Sequence, residues 1–280
     1  MNREYMNREW MERYCRQIAL PEIDVAGQER LQAARVLIVG AGGLGSTAAL
    51  LLAGAGCGNL ELLDPDTVAL SNLHRQIGHT CAFLDKPKVH SLRDAIQARF
   101  PDINVITTAQ ALPTALSELD AALQASLRSA DLVLDCTDNF PTRFVLNALC
   151  WSAEKPLVSA SAVRWEGQLI SIDPRRPDSP CYGCLYPERV GDESESCLSQ
   201  GVLGPVPAVL GSMQAVEACR VLLSAGDSLV GRLMLFDALR FSFRILRLPI
   251  DPACCVVRCA GGKNGIRMVR RGVNECCVVV

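Results

Sequence analysis

A glycine-rich run at residues 40–45 is the first feature that could do chemistry. It reads GAGGLG, follows the apolar run VLIV and precedes a stretch of small and apolar residues. This is G-x-G-x-x-G between a predicted strand and a predicted helix, a context in which backbone amides can approach phosphates. Gly42 and Gly43 are therefore candidate phosphate contacts, and Gly45 is expected to allow close packing of the helix. The pattern serves dinucleotide-binding enzymes and ATP-binding enzymes alike.

Polar and charged candidates follow the glycine run. Asp64 ends the next predicted strand, where a carboxylate can bind ribose hydroxyls. Arg75 and Lys88 are two cations that an enzyme breaking a triphosphate needs, because charge develops on the leaving pyrophosphate. Either cation alone could be a solvated surface residue, but together they favour ATP. The other predicted nucleotide-binding residues of this segment are Asp66, Asn72 and Gln76.

A further carboxylate follows the predicted strand in ADLVLDCTDN. Asp138 lies at the carboxyl end of that strand, where open α/β sheets place their ligands. A carboxylate there suits Mg²⁺ held against phosphates, and the adjacent Asn139 is a candidate nucleotide contact. Asp138 could also cap the helix that follows, and the two roles are compatible.

The chain has 14 cysteines, fewer than a secreted disulfide scaffold of this length would carry. Cys181 and Cys184 form CYGC, which is typical of half a structural zinc site or of a redox pair. Four others lie in apolar patterns and are interpreted as core residues, namely Cys57, Cys136, Cys150 and Cys219.

Alternating strands and helices must position these residues. Strands are predicted at Arg35–Val39, Asn59–Asp64, Asn104–Thr108, Leu132–Cys136 and Leu157–Ser161, and helices at Leu44–Ala55, Lys88–Phe100, Leu116–Leu127 and after Pro141. This βαβ order predicts an α/β fold with a Rossmann-like, doubly wound sheet, mostly parallel in the first half.

The second half changes character after residue 162. Strands are predicted at Gly167–Asp173, Leu233–Asp237 and Ser242–Leu248, with a helix at Val209–Ser224. We therefore expect mixed or antiparallel strands there. The predicted organisation is a helical extension or dimer arm (1–34), a single domain (35–262) with halves 35–162 and 163–262, and an irregular tail (263–280).

Composition excludes several classes of function. The net charge of −2 gives no basic balance for binding nucleic acid or a membrane surface. The apolar stretches are interrupted before they could span a bilayer, and the charged first residues are unlike a signal peptide. A cytoplasmic protein is expected. The three histidines, His74, His79 and His90, show no triad arrangement, and surface or core roles are expected for them.

The motifs together resemble the ThiF/MoeB/HesA family of ubiquitin-activating-type adenylyltransferases. The resemblance runs from RYCRQI at Arg13 to about Leu248 and includes LLDPDTV, SNLHRQI, DKPKV, VLDCTDN, TR, SASAVRWEGQ, CYGC, GVLGP and GSMQAVEA. It implies a protein that binds ATP and Mg²⁺ and activates the C-terminal Gly-Gly carboxylate of a small ubiquitin-like sulfur carrier as an acyl-adenylate. A sulfurtransferase or cysteine desulfurase is a further candidate partner.

The resemblance also implies roles for individual residues. Gly43 would face the phosphates, Asp64 would hold the ribose, and Ser71, with Asn72 and Arg75, would line the triphosphate site. Lys88 would lie on the α-phosphate side and Asp138 would hold Mg²⁺. Arg16 would reach the site across a homodimer interface. No general base is needed, because a carboxylate at neutral pH is already the nucleophile.

The family also bears on the remaining cysteines. It pairs CYGC with a second C-x-x-C near the C-terminus, but this chain reads DPACCVVRCAGG there. Cys259 and either Cys254 or Cys255 would complete a structural zinc site. Cys197 matches the position of a cysteine that can form a thioester or persulfide with the carrier, although neighbouring glutamates give no sign of an activated thiol.

Alternatives remain for the substrate. The carrier could serve thiamine or molybdopterin biosynthesis, and SASAV is slightly closer to the thiamine branch. Another peptide or a biosynthetic-cluster carrier could be adenylated by the same chemistry. An NAD(P)-linked oxidoreductase is a weaker alternative, because no catalytic histidine, Tyr–Lys pair or substrate domain is apparent.

Overall fold

The computed structural model describes residues 3–113, 119–186, 200–252 and 254, with side chains from Arg8 onward. Its centre is an eight-stranded sheet in the order β3-β2-β1-β4-β5-β6-β7-β8. The strands are β1 (Arg35–Val39), β2 (Asn59–Leu63), β3 (Asn104–Thr108), β4 (Leu132–Asp135), β5 (Leu157–Val163), β6 (Glu166–Ile172), β7 (Arg232–Asp237) and β8 (Ser242–Arg247).

The direction of the strands changes at β5. The strands β3, β2, β1, β4 and β5 pair in parallel, whereas β5 to β8 pair antiparallel. The predicted mixed sheet is confirmed, including its parallel first half. Both halves belong to one continuous sheet.

Helices cover both faces of the parallel half. The helices within the described residues are α1 (Arg3–Ile18), α2 (Asp24–Ala33), α3 (Gly43–Gly54), α4 (Lys88–Gln97), α5 (Ala121–Ser129), α6 (Phe140–Ser152), α7 (Tyr182–Leu185) and α8 (Pro205–Leu223). Alternate residues of β1 face opposite sides, so Val36 and Ile38 pack with α3 and α8, while Leu37 and Val39 pack with α5 and α6. Burial on both faces explains the continuous apolar runs of these strands.

The helix α8 corrects two predictions. It begins at Pro205 rather than at Val209, because proline is well suited to the first turn of a helix. With 19 residues and a mean hydropathy of 1.3, α8 is also long and apolar enough to cross a membrane, contrary to the expectation for this chain. Half of it is buried, and Leu210 and Ala218 belong to the core over the sheet. We interpret it as a core helix.

Other helix boundaries also shift. The helix predicted at Leu116–Leu127 begins at Ala121, because the side chain of Asp120 accepts a hydrogen bond from Leu123 N and caps it. The helix that begins at Lys88 ends at Gln97 rather than at Phe100. The predicted tail at 263–280 lies outside the described residues.

Candidate nucleotide and thiol sites

The glycine run forms the turn between β1 and α3. Gly40 has a φ of +98°, a conformation that favours glycine, and its N–H donates to Leu63 O. Gly42 is the N-cap of α3 and Gly43 is its first residue. A Cβ on Gly45 would overlap the carbonyl oxygen of Gly40, so the helix can pack this closely only with glycine there. The amino end of α3 thus lies directly beyond β1, as the phosphate-binding interpretation requires.

Asp64 is a buried carboxylate beside this turn. Its two oxygens accept hydrogen bonds from Ala41 N at 2.6 Å and from Asp66 N at 2.8 Å. Burial raises the pKa of Asp64, while Lys88 and the two backbone amides act in the opposite direction. Asp64 therefore fixes the geometry of the turn from the end of the neighbouring strand.

Lys88 and Asp66 form an ion pair at the start of α4. The Nζ of Lys88 lies 2.6 Å from Asp66 Oδ2, and the Lys88 backbone N–H donates to Asp66 O at 2.9 Å. The lysine side chain is only 6% exposed, whereas that of Asp66 is 62% exposed. The pair therefore presents a carboxylate to solvent and holds a buried cation behind it.

Arg75 and Gln76 follow a 3-10 turn at Leu70–Asn72 that also contains the exposed Ser71. The guanidinium of Arg75 donates to Ser71 O at 2.9 Å and to Asn72 Oδ1 at 3.1 Å. Gln76 is buried, and its Oε1 has no hydrogen-bond partner in the described part of the chain. Its Nε2 would lie 3.6 Å from a Cβ placed on Gly42, so the structure brings this segment next to the glycine turn.

Asp138 and Asn139 lie beyond the carboxyl end of β4, and both are exposed. The side chain of Asn139 accepts a hydrogen bond from Thr142 N at 3.0 Å and caps α6. The alternative role of Asp138 as a helix cap is therefore wrong, because Asn139 occupies the N-cap position. Asp138 is left at the same edge of the sheet as Asp64, because parallel strands end together.

Sequence reasoning missed a buried ion pair behind Asp138. Arg143 Nη1 lies 3.5 Å from Asp135 Oδ2, and Ser159 Oγ donates to the same oxygen at 2.6 Å. Arg143 Nη2 also donates to Thr137 O, one residue before Asp138. Burial acts to lower the pKa of Arg143, but Asp135, Tyr182 and Tyr186 together outweigh it, so the pKa is raised above its usual value. The dipeptide TR was the only sequence signal, and it carried no indication of burial.

Arg16 lies at the far end of α3 from the glycine turn. The neighbouring Gln17 donates to Ala55 O at 3.0 Å and to Gln28 Oε1 at 2.9 Å, just beyond the last residue of α3. That helix has 12 residues, and at 1.5 Å per residue it is about 18 Å long. Arg16 is exposed and does not join the site of its own chain.

Three cysteine thiols converge between the loop after β6 and the segment after β8. The sulfurs of Cys181, Cys184 and Cys254 lie within 4.8 Å of one another, and all three residues are buried. Cys181 Sγ lies 3.3 Å from Cys254 Sγ and 3.9 Å from Cys184 Sγ. Hydrogen bonds with the other two thiols lower the pKa of Cys184 and raise that of Cys181. Three buried sulfurs this close together are a donor set for a soft cation.

The structure separates the remaining cysteines and histidines. Cys57, Cys136 and Cys150 are buried and Cys219 packs on the core, which confirms the core interpretation. Among the histidines, His79 is buried, while His74 is exposed and His90 is half-buried. Three predicted site residues lie outside the described residues, namely Cys197, Cys255 and Cys259.

Comparison with known proteins adds independent information. The model of the ThiF family matches residues 14–256. The molybdopterin-synthase adenylyltransferase of Escherichia coli (strain K12) is 46% identical over 244 residues, which cover 87% of this chain and 95% of that protein. The adenylyltransferase and sulfurtransferase MOCS3 of Anopheles gambiae is 45% identical over 253 residues, covering 90% of this chain and 56% of that protein.

Solved structures show the same fold. The crystal structure of E. coli MccB with MccA-N7isoASN has a TM-score of 0.73 at 20% identity and covers 88% of this chain and 74% of that one. The structure of E. coli MccB with ATP has a TM-score of 0.71, also at 20% identity, with the same coverage of both chains. At this identity the likeness concerns the fold alone.

Proposed function

Because the chain belongs to the ThiF family, we propose that it is an ATP-dependent adenylyltransferase of a protein carboxylate. Its substrate is the C-terminal Gly-Gly of a small ubiquitin-like sulfur carrier, and pyrophosphate is released. One observation carries the proposal: the glycine turn, Asp64, Arg75 and the Lys88–Asp66 pair gather at one edge of the sheet. Attack on a triphosphate requires cations near the phosphate-facing amides, because charge develops on the leaving pyrophosphate. Hydride transfer has no such requirement.

Each residue has a chemical task in this proposal. The amides of Gly42 and Gly43 face the phosphates, and Asp64 accepts from the ribose. Arg75, with Ser71, Asn72 and Gln76, lines the triphosphate, while Lys88 approaches the α-phosphate from its pair with Asp66. The two cations screen the approach of one anion to another and stabilise the charge of the leaving pyrophosphate.

Magnesium would be held by Asp138, with Asn139 beside it. An exposed carboxylate at the end of a parallel strand offers the hard oxygen ligand that Mg²⁺ takes, while its remaining ligands come from water and phosphate. The ion would supply charge neutralisation on the phosphates. The buried Arg143 fixes the loop that carries Asp138, because it holds Thr137 O in place.

The relatives favour one of the two biosynthetic branches. The E. coli relative, 46% identical, and that of Salmonella typhimurium, 43% identical, are both named molybdopterin-synthase adenylyltransferases. We therefore assign the carrier of this chain to molybdopterin biosynthesis. The slight preference for thiamine drawn from SASAV finds no support in these relatives. A cytoplasmic location remains part of the proposal.

Further elements of the proposal concern three partners, namely a second copy of this chain, the carrier and a sulfur donor. Arg16 is supplied across a homodimer interface, which agrees with its exposure and its distance from the site of its own chain. The carrier binds the second half of the sheet, which exposes apolar side chains at Phe243, Ile245 and Leu246. Cys197 remains a candidate for a covalent link to the carrier, and a sulfurtransferase or desulfurase remains a candidate sulfur donor.

We also propose structural zinc at the thiol cluster. Tetrahedral zinc with Zn–S bonds near 2.3 Å requires sulfurs separated by about 3.8 Å. The observed separations of 3.3 and 3.9 Å bracket that value. The third thiol favours a metal over a two-cysteine redox pair and favours Cys254 over Cys255 as a ligand. Cys259 is the candidate for the fourth position.

Pyrophosphate exchange tests the proposed function. We expect exchange of labelled pyrophosphate into ATP that depends on a Gly-Gly-ended carrier. Replacing Arg75 or Asp138 by alanine should reduce the rate by about 100-fold, because each loses a charge that stabilises the transition state. Matched controls are Arg128→Ala and Asp227→Ala, which remove the same charges from exposed positions.

The outcomes separate the candidate activities. Wild-type rates in the two control variants, with loss in the two site variants, support the proposal. Tight NAD binding with no exchange for any carrier would support the oxidoreductase alternative. Exchange with a short Gly-Gly-ended peptide but with no folded carrier would indicate that the substrate is a peptide.

A further inference from the structure

Ala41, inside the glycine turn, is held by side chains on both of its polar groups. Its N–H donates to Asp64 Oδ2 at 2.6 Å, and its carbonyl oxygen lies 2.8 Å from His79 Nε2. A carbonyl can only accept, so His79 carries its proton on Nε2. Two consecutive peptide planes of the turn are therefore fixed by residues from other parts of the chain.

The contacts of His79 close a ring of hydrogen bonds around this edge of the sheet. The His79 Nδ1 accepts from Ser91 Oγ at 3.0 Å. Ser91 lies three residues after Lys88 on α4, hence on the same side of that helix. Lys88 pairs with Asp66, whose N–H donates to Asp64, and Asp64 returns to Ala41. The imidazole is the member that joins α4 to the carbonyl of the turn.

The direction of one phosphate-facing amide depends on this contact. In a planar trans peptide the carbonyl and the following N–H point in opposite directions. Because His79 draws the Ala41 carbonyl toward α4, the Gly42 N–H must point to the other side of the turn. Gly42 is the N-cap of α3, where backbone amides attract a phosphate.

We infer that His79 is a positioning residue for ATP: by holding the Ala41 carbonyl, it orients the Gly42 amide toward the phosphates. This inference rests on the proposed function, since it assumes that the turn binds ATP. His79 touches neither the phosphates nor the carrier. Its effect should therefore appear in the binding of ATP more than in the turnover of bound substrate.

The test compares substitutions that keep or remove the Nε2 donor. His79→Leu removes it, whereas His79→Gln retains an amide N–H at a similar distance from the backbone. By calorimetry with Mg–ATP and no carrier, we expect the Kd to rise about tenfold in His79→Leu and less than about threefold in His79→Gln. In the exchange assay, KM for ATP should rise with little change in kcat.

Matched controls use a second histidine and the second contact of the ring. His90→Leu alters a half-buried histidine on α4 and should leave the Kd unchanged. Ser91→Ala removes the donor to Nδ1 and should raise the Kd by about threefold. Thermal unfolding of each variant without ATP separates a loss of fold from a loss of ATP binding.

Several outcomes would overturn the inference. These are a folded His79→Leu variant that binds Mg–ATP as the wild type does, or a folded His79→Gln variant that binds as weakly as His79→Leu. If His79→Leu does not fold, an unchanged Kd in Ser91→Ala overturns it. If the wild type binds Mg–ATP but no carrier supports exchange, the proposed function fails, whereas the positioning role of His79 is still decided by these Kd values.

Discussion

The strands in the two halves of the sheet differ in how far they are buried. In β1 four of the five residues are buried, and in β4 all four are. In β8 five of the six residues are exposed, among them Ile245 at 57%. The parallel half is covered by helices on both faces, whereas the edge of the antiparallel half presents a surface to solvent.

The two halves of the sheet therefore suit different binding partners. Parallel strands end at one edge, so β1, β2 and β4 bring the glycine turn, Asp64 and Asp138 together. Antiparallel strands end at alternating edges and gather no such set. What they offer is an exposed face and edge, suited to a protein partner. We therefore propose that the first half carries the ATP chemistry and that the second half binds the carrier.

The largest expected effect tests the burial of charge in the parallel half. Arg143→Met should lower the free energy of unfolding by about 3–5 kcal/mol, because Asp135 is left charged and buried without its cation. The control Arg244→Met removes an exposed arginine from β8 and should change it by less than about 0.5 kcal/mol. Denaturant unfolding measures both values. Equal losses would contradict the contrast between the halves.

A second, smaller effect concerns the thiol cluster, which ties the loop after β6 to the segment after β8. Cys254→Ser should reduce bound zinc from about one equivalent to nearly none and lower the free energy of unfolding by roughly 2 kcal/mol. Cys81→Ser alters an exposed cysteine outside the cluster and should keep the metal. Elemental analysis and thermal unfolding test this. A metal-free wild type of full stability would refute the zinc proposal.

The smallest effect on stability is expected for substitutions at the two edges of the sheet. Ile245→Ser on β8 and Ile106→Ser on β3 make the same change on the two edge strands. Ile245 is 57% exposed and Ile106 is 47% exposed. Each should alter the free energy of unfolding by less than about 0.5 kcal/mol. Only Ile245→Ser should raise the KM for the carrier, by roughly tenfold. An equal rise in the KM for the carrier in both variants would contradict the proposal that the carrier binds the second half of the sheet.

Sequence patterns predicted most of the fold, and they also selected the candidate nucleotide-binding residues that the structure gathers around the glycine turn. Apolar runs bounded by glycine and polar residues placed the parallel strands within one or two residues of their observed bounds. The start of α8 was predicted too late, at Val209, although the helix begins at Pro205. Proline in a first helical turn is indistinguishable from proline in a loop without knowledge of what the helix packs against.

The supporting contacts of the site were not predictable from spacing. Arg143, Ser159 and Asp135 meet only because β4, α6 and β5 pack side by side. His79 showed no motif, and only the packing of α4 against the turn brings it to Ala41 O. Such contacts depend on three-dimensional proximity, which local residue patterns do not encode.

The sequence by itself determined the βαβ order, the glycine turn and the charged residues at the strand ends, because each depends on local residue type and periodicity. The tertiary structure decided which thiols converge and which charges are buried. It also placed Arg16 beyond the reach of its own site and linked His79 to the glycine turn. These features depend on how distant segments pack against one sheet, since burial and hydrogen-bond partners arise only once those segments meet.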